Sequence, residues 1–332
     1  MKAVAKSPDE GRFWYYALGS ADLSRLRSGS GQPLINQRAL NTVELPVPDR
    51  HDRLAIGELL GSLDDKVELN QRMNETLGVM AQAIFRDWFV DFGPTRRKLE
   101  GATDPVTIMG GLVQDPATAE TLASSFPDQL DEWGRPLGWE EHSVGDAFDL
   151  VMGQSPPGST YNETGDGLPF FQGRRDFSAR FPVARVYCTA PTRTARKDWT
   201  LVSVRAPVGD VNRAEADCCI GRGVGALSHK QGLLSFTYYA VLNLKPALAA
   251  FDGDGTVFGS VNQKQMKALR MLGGMSPLAR TYDDLAQPID AIIRLRTAEN
   301  RTLAAARDLL LPKLMSGEIR LREAEEMLEA VQ

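Results

Sequence analysis

From Ile56 onward the chain places Ile56, Leu60, Leu63, Val67, Asn70, Asn74, Leu77, Ala81, Ile84 and Trp88 at alternating steps of four and three. That is a 3.5-residue repeat held for more than four heptads, the pattern of a coiled-coil seam. It predicts one long helix that starts at Asp49 or Arg50, after the proline-bounded Leu45–Pro48, and stops before Phe92–Pro94. At 1.5 Å per residue such a helix spans roughly 60 Å. Two seam positions are asparagine rather than apolar. A seam amide stabilises only the alignment that gives it a partner, so Asn70 and Asn74 are expected to set register; the alternative is that both face solvent at a seam edge.

The pattern returns later in the chain. Phe13–Leu18 (FWYYAL) matches Phe236–Val241 (FTYYAV) at an offset of 223, and Gly29–Gly31 matches Gly253–Gly255 at 224. Ile35–Arg38 (INQR) matches Val261–Lys264 (VNQK) at 226. The 226 offset then persists: Asp64 falls on Asp290, Val67 on Ile293, Asn74–Leu77 on Asn300–Leu303, and Ile84 and Phe85 on Leu310 and Leu311. The chain therefore carries two copies of one unit, the end of a globular domain followed by a long helix. The second copy begins near Gly134–Asp146, whereas the counterpart of Trp139 in the first would fall before Met1. The first copy is expected to lack its front portion, leaving strand edges and Phe13, Trp14 and Tyr15 uncovered.

Elsewhere the signals are coarser. Residues 94–133 are rich in Gly, Pro and acid and read as a loop-dominated connector with one short helix at most. From 142 to 275, short apolar runs such as Trp199–Val211 and Phe236–Leu244 alternate with Gly, Pro and Asn clusters, which predicts a mixed domain with several strands. The second long helix is expected over 279–311, with Pro288 kinking it or marking its first turn and Pro312 limiting its end. The fold class that results is α+β, with the two long helices pairing antiparallel. Leu63, Val67, Asn70, Asn74 and Leu77 are expected to face Ile289, Ile293, Asn300 and Leu303.

Charge changes the picture in one respect. The net charge is −5, yet residues 101–141 hold eight acids against Arg135 alone, while residues 142–272 hold fifteen Lys and Arg against eleven acids. A mildly basic domain beside an acidic connector fits a phosphate-facing surface. Cys188, Cys218 and Cys219 show no CxxC spacing, so neither a disulfide framework nor a zinc site is expected and a reducing cytoplasm fits. No apolar run approaches membrane-spanning length.

Catalytic patterns are missing. There is no GxxxxGK[ST] loop; Gly221–Gly225 (GRGVG) lacks GxGxxG spacing and reads as a turn. His51, His142 and His229 are scattered, without an HExxH pair or a local nucleophile motif. Phe251–Gly255 (FDGDG) opens like a calcium loop but lacks the Glu at position twelve. No Asn/Asp-Pro-Pro-aromatic tetrapeptide of an amino-methyltransferase occurs. No catalytic residue, metal site or cofactor is expected on this chain.

Leu63–Gly101 (LDDKVELNQRMNETLGVMAQAIFRDWFVDFGPTRRKLEG) resembles the central conserved region of the specificity (S) subunit of type I restriction–modification enzymes. Leu309–Leu321 (LLLPKLMSGEIRL) is similar to its distal conserved region, and Gly153–Tyr161 (GQSPPGSTY) and Leu201–Asn212 (LVSVRAPVGDVN) resemble stretches of its target recognition domains. The resemblance implies a non-catalytic subunit that binds double-stranded DNA at a bipartite site. Its recognition domains are joined by an antiparallel coiled-coil spacer. It implies methyltransferase (M) partners that hold S-adenosylmethionine and methylate adenine, and restriction/translocase (R) partners that use ATP and Mg2+. The division becomes 1–48 as the end of a first recognition domain, 49–93 as the central helix and 94–138 as the acidic connector. Residues 139–278 become the second recognition domain, 279–315 the distal helix and 316–332 a tail. The chain departs from the family order by lacking most of the first recognition domain, so self-dimerisation or completion by an upstream segment is expected. The alternatives are a coiled-coil adaptor that binds protein rather than DNA, and an inactive truncated fragment.

Base-edge readout needs bidentate donors and acceptors on a shaped surface. Candidates are Gln154 and Ser155 in a Gly/Pro loop, Arg174 and Arg175, Arg193, Arg196 and Lys197, and Arg222 in the glycine turn. Lys264 and Lys267 are candidates for phosphate. Arg205 is placed lower, with pairing to Asp210 or another acid as its expected fate. Tyr161 and Phe171 read as core aromatics, Asn212 as a turn cap, and Asn262, repeated by Asn36, as a structural amide.

Overall fold

A computed structural model describes residues 5–23, 35–251, 259–274 and 276–329. Gly29–Gly31 and Gly253–Gly255, and with the latter most of the calcium-like loop, lie outside these residues. The helices are α1 (Gly11–Ser20), α2 (Gln37–Leu40), α3 (Arg50–Phe89), α4 (Gly93–Leu99), α5 (Pro105–Ile108), α6 (Pro116–Ser124), α7 (Val144–Ala147), α8 (Leu234–Asn243), α9 (Lys245–Ala249), α10 (Gln263–Ala268), α11 (Pro277–Ser316) and α12 (Leu321–Glu329). The strands are β1 (Glu141–Ser143), β2 (Phe148–Met152), β3 (Tyr161–Asn162), β4 (Leu168–Phe171), β5 (Tyr187–Cys188), β6 (Thr194–Ala195), β7 (Thr200–Ser203), β8 (Val211–Arg213), β9 (Cys218–Ile220), β10 (Val224–His229) and β11 (Arg270–Leu272). The architecture is α+β. The chain divides into two compact units, residues 1–77 with 292–332, and residues 78–291.

In the first unit the start of α3 runs antiparallel to the end of α11: Asp64 meets Arg307, Asn70 meets Asn300 and Asn74 meets Thr297. Helix α1 lies on this pair and buries Phe13, Tyr16 and Ala17 against Ile56, Leu60, Leu63, Leu310 and Leu314. Burying a side chain such as Phe13 contributes about 1.5–3 kcal/mol. Gly57 permits the approach, because a Cβ there would stand 2.9 Å from the Phe13 backbone nitrogen.

In the second unit the end of α3 packs on the start of α11 through Phe85, Trp88, Phe89, Tyr282 and Ala286. The Tyr282 hydroxyl donates to the Ala81 carbonyl at 2.8 Å. Beside this aromatic cluster stand a four-stranded antiparallel sheet in the order β2-β10-β7-β8, a five-stranded mixed sheet in the order β3-β5-β4-β9-β6, and the small pair β1-β11. The alternate residues Leu201, Ala226 and Ile220 join a second core cluster between the sheets. Cys188, Cys218 and Cys219 are buried and unbridged, and burial pushes the Cys218 and Cys219 thiols up to about 12.

The internal repeat has a three-dimensional counterpart in each unit. Tyr16 on α1 donates to Asp64 at 2.6 Å, and Tyr239 on α8 donates to Asp290 at 3.0 Å. Burial first, and then the carboxylate, push both hydroxyls up, so each remains a donor. Asn36 caps α2 by accepting from the Ala39 N–H, and Asn262 caps α10 by accepting from the Gln265 N–H. The copies differ in what else reaches the carboxylate. Among the described residues one arginine, Arg307, joins Tyr16 at Asp64, while Arg180 and Arg213 both converge on Asp290, with Arg180 stacked 3.6 Å over Tyr238.

Several expectations change. Phe236–Val241 is not a strand but the buried helix α8, and Phe13–Leu18 is helical too. Phe13 is 1% exposed rather than left uncovered, because α1 docks on the helix pair; Tyr15, at 69%, stays open. Pro312 does not end α11, which continues to Ser316 so that Leu314 and Met315 can bury. That packing offsets the roughly 3 kcal/mol that an interior proline costs. Residues 94–133 are no loose connector: α4, α5 and α6 form there, and Ile108, Met109, Leu122 and Phe126 enter the same core as Trp88. Prolines at the first helical positions, capped by Asp104 and Asp115, start α5 and α6.

Candidate nucleic-acid interface

Strand register explains how distant residues come together. Met152 at the end of β2 pairs with Gly225 at the start of β10, and Ser203 at the end of β7 pairs with Val224. Phe171, ending β4, runs beside Ile220, ending β9. Loops 153–155, 172–174, 205–210 and 221–223 therefore leave the two sheets at one edge. Close backbone contact locks them: a Cβ on Gly153 would stand 2.2 Å from the Gly221 carbonyl, and one on Gly223 would stand 2.3 Å from that of Gln172.

A cleft of about 280 Å³ opens between these loops, lined by Ser155, Gln172, Arg174, Arg205, Arg222 and neighbouring backbone. Arg205 and Arg222 also line the adjoining cleft with Asn262 and Gln263. Those two in turn border a shallow depression with Lys264 and Lys267. The lining of the first cleft is mainly polar and includes three arginines, unlike the mostly apolar pockets that hold drug-sized molecules.

The sequence candidates are thus divided. Ser155, Arg174 and Arg222 share one cleft, and Lys264 lies on the same stretch of surface. Gln154 is exposed in the first loop, with its backbone N–H donating to Ile220. Arg175 is 80% exposed and 3.9 Å from Asp176. Arg193, Arg196 and Lys197 are exposed beside β6 and line none of these clefts. Arg205 and Arg174 exchange the fates expected of them. Asp210 takes Arg174 and Lys245, the latter at 2.8 Å, and Arg205 has no carboxylate partner among the described residues. Burial works to raise the Asp210 carboxyl, but the hydrogen bonds from Lys245 and Arg174 outweigh it and hold it below the usual range. Gln172 and Gln263, passed over in the sequence, line the clefts; only their proximity to Gly turns hinted at it. Asn212 is no turn cap: its buried amide holds Ser178 through both backbone N–H and carbonyl. Tyr161 and Phe170 stack at 4.8 Å, and Phe171 is core.

The helix seam is the other site. Asn70 is 3% exposed and donates to Glu299 at 2.7 Å and to Asn300 at 3.0 Å. The amide that meets Asn300 is therefore Asn70, one turn from its repeat partner Asn74. Asn74 donates instead to Thr297 at 3.3 Å, and its carbonyl oxygen is buried without a partner. Leu63 and Ile293 are buried; Val67, Leu77, Ile289 and Leu303 are half-buried. Among the described residues no cluster of three or more His, Cys, Asp or Glu could hold a metal, and no helix is long and apolar enough to cross a membrane.

Mixed sheets with arginine-bearing loops at one edge, beside paired antiparallel helices, define an α+β protein. The chain is similar in sequence to type I restriction enzyme specificity subunits. It is 28% identical over 295 residues to the putative type I restriction enzyme MjaX specificity subunit of Methanocaldococcus jannaschii, covering 88% of this chain and 63% of that protein. The HindI specificity subunit of Haemophilus influenzae is 24% identical over 355 residues, covering 90% of this chain and 73% of that one. The crystal structure of the type I restriction–modification S subunit from M. genitalium shares the fold, with a TM-score of 0.56 at 18% identity over 93% of this chain and 74% of that one. No family model matches. The chain spans just under two thirds of the length of its MjaX relative.

Proposed function

We propose that this chain is a DNA sequence-recognition subunit of a type I restriction–modification enzyme and performs no catalysis itself. The observation that carries the proposal is the row of clefts at one edge of the sheets, where Arg205 and Arg222 have no carboxylate partner among the described residues. A protein surface tolerates such a cluster where it meets polyanionic phosphate. Residues 139–278 act as the recognition domain, and 49–93 with 279–315 as the paired helices. The start of the chain, 1–48, is the end of a second such domain.

Methyltransferase subunits dock on the helix pair. In the first unit Leu69, Met73, Ile292 and Leu295 are exposed on its helices, Leu295 at 71%, and apolar groups left open on a helix surface favour a protein partner. S-adenosylmethionine belongs to those partners, and ATP with Mg2+ to the restriction/translocase subunits. The test is adenine methylation of a randomised DNA pool. The chain with its methyltransferase should mark one sequence, and the chain alone should mark none. Methylation by the chain alone, or unselective methylation by the pair, would reject the proposal.

A further inference from the structure

The geometry points to Arg205 and Arg222 as a clamp for one backbone phosphate of duplex DNA, not as readers of a base. The inference rests on the DNA-recognition reading above and assigns a chemical role within it.

Charge supplies the first argument. The third arginine of this cleft is spoken for, Arg174 by Asp210. Arg205 and Arg222 have no carboxylate partner among the described residues, yet both line the same two clefts. Two uncompensated guanidiniums held on one concavity repel each other until an anion enters between them.

Shape decides which part of DNA that anion is. Base edges lie at the bottom of a groove about 8.5 Å deep, so a side chain that reads them must stand on a protrusion. Arg205 and Arg222 instead line concave surface. A concavity receives what protrudes from the duplex, and that is the sugar–phosphate ridge. The first cleft, at about 280 Å³, is enough for a phosphate with part of its sugar.

Rigidity completes the case. The Arg222 N–H reaches the Ser155 hydroxyl at 3.4 Å, the Gly223 N–H donates to Gln172, and the Val204 N–H beside Arg205 donates to Gly223. Both Cα positions are therefore held by one hydrogen-bonded frame, so both side chains leave from fixed points on the same cleft. Both side chains are exposed, so replacing them removes no buried contact.

The test is fluorescence anisotropy of the full chain with a labelled 30-base-pair duplex over a series of KCl concentrations. The Arg205→Ala, Arg222→Ala double variant should lower the slope of log K against log salt by about 0.9, the value of one phosphate contact. The sequence it enriches from a randomised duplex pool should match that of the unaltered chain. A double Arg→Lys variant should restore the slope. An unchanged slope overturns the clamp, as does a fall of about 1.8 (two phosphates,) or a changed enriched sequence. Absence of salt-dependent binding by the unaltered chain is a different failure and overturns the DNA-recognition reading with it. A melting curve matching the unaltered chain shows that the variant is folded.

Discussion

Replacing Asp290 by asparagine should be far more damaging than the same change at its repeat partner Asp64. At Asp290 the carboxylate side chain is 5% exposed, and its two partners Arg180 and Arg213 are 10% and 6% exposed. Asparagine keeps one acceptor for Tyr239 but leaves two guanidiniums buried without their counter-charge. Breaking a buried ion pair from one side costs about 3–5 kcal/mol. Asp198, 3.4 Å from Arg213, retains part of that compensation, so the lower end, about 3 kcal/mol, is expected. At Asp64 the side chain is 31% exposed and Arg307 is 27% exposed, with Asp308 still bound. Water can replace the lost contact there, and the cost is about 1 kcal/mol. Hydrogen exchange read by mass spectrometry resolves the two units separately. In the Asp290→Asn protein, protection over 234–243 and 200–213 should fall by about two orders of magnitude. In the Asp64→Asn protein, protection over 11–20 should fall less than tenfold. Equal losses at the two sites, or no loss around α8 for Asp290→Asn, would refute the argument that burial sets the difference.

Asn70→Asp puts a carboxylate against Glu299 in the seam and should cost about 3 kcal/mol, whereas Asn74→Leu, which removes a buried carbonyl without a partner, should leave the urea midpoint at or above its original value. The midpoints of the two variants check this, and parity between them would show that Asn70 does not set register. Leu295→Glu should leave the chain's melting temperature unchanged while weakening its association with the methyltransferase subunit, measured by analytical ultracentrifugation; intact association would remove that surface from the docking site. His229 is buried, its Nδ1 accepts from the Gln231 N–H, and Nε2 therefore donates to the Gly274 carbonyl. Burial lowers its pKa, so the folded state holds it neutral. The stability this contributes is complete above the unfolded value of about 6.5 and is lost as pH falls below it. The melting-temperature gap between the unaltered chain and His229→Gln should shrink between about pH 7.5 and about pH 5.5, and a constant gap would contradict the assignment.

The long helices were legible because a 3.5-residue period over more than thirty residues has no competing explanation. Their register was partly legible: the amides announce a constraint, but whether Asn70 or Asn74 faces Asn300 depends on how the helices slide. Helix α8 was misread as a strand because Phe236–Val241 is apolar on every side, and a fully buried run carries no period to separate helix from strand. The segment 94–133 hid its helices for a related reason, since each is under ten residues and its burial comes from distant residues such as Trp88. At the candidate site the basic residues were visible but their partners were not. Arg205 lies nearer than Arg174 to Asp210 in the sequence, and only the convergence of β4 and β8 gives the carboxylate to Arg174.

The cleft residues hang from loops at one edge of the sheets, while the paired arginines Arg180 and Arg213 anchor the domain to α11. This separation divides the chain's mutational tolerance. Gln154, Arg175, Arg193 and Lys197 contribute exposed surface, and substitutions at such positions change stability by only about 0.5 kcal/mol either way. Asp290, Tyr239 and Gly153 have no such freedom. A population of these chains can therefore drift through many loop sequences, and so through many surfaces at that edge, while every member keeps the same fold and the same helix pair.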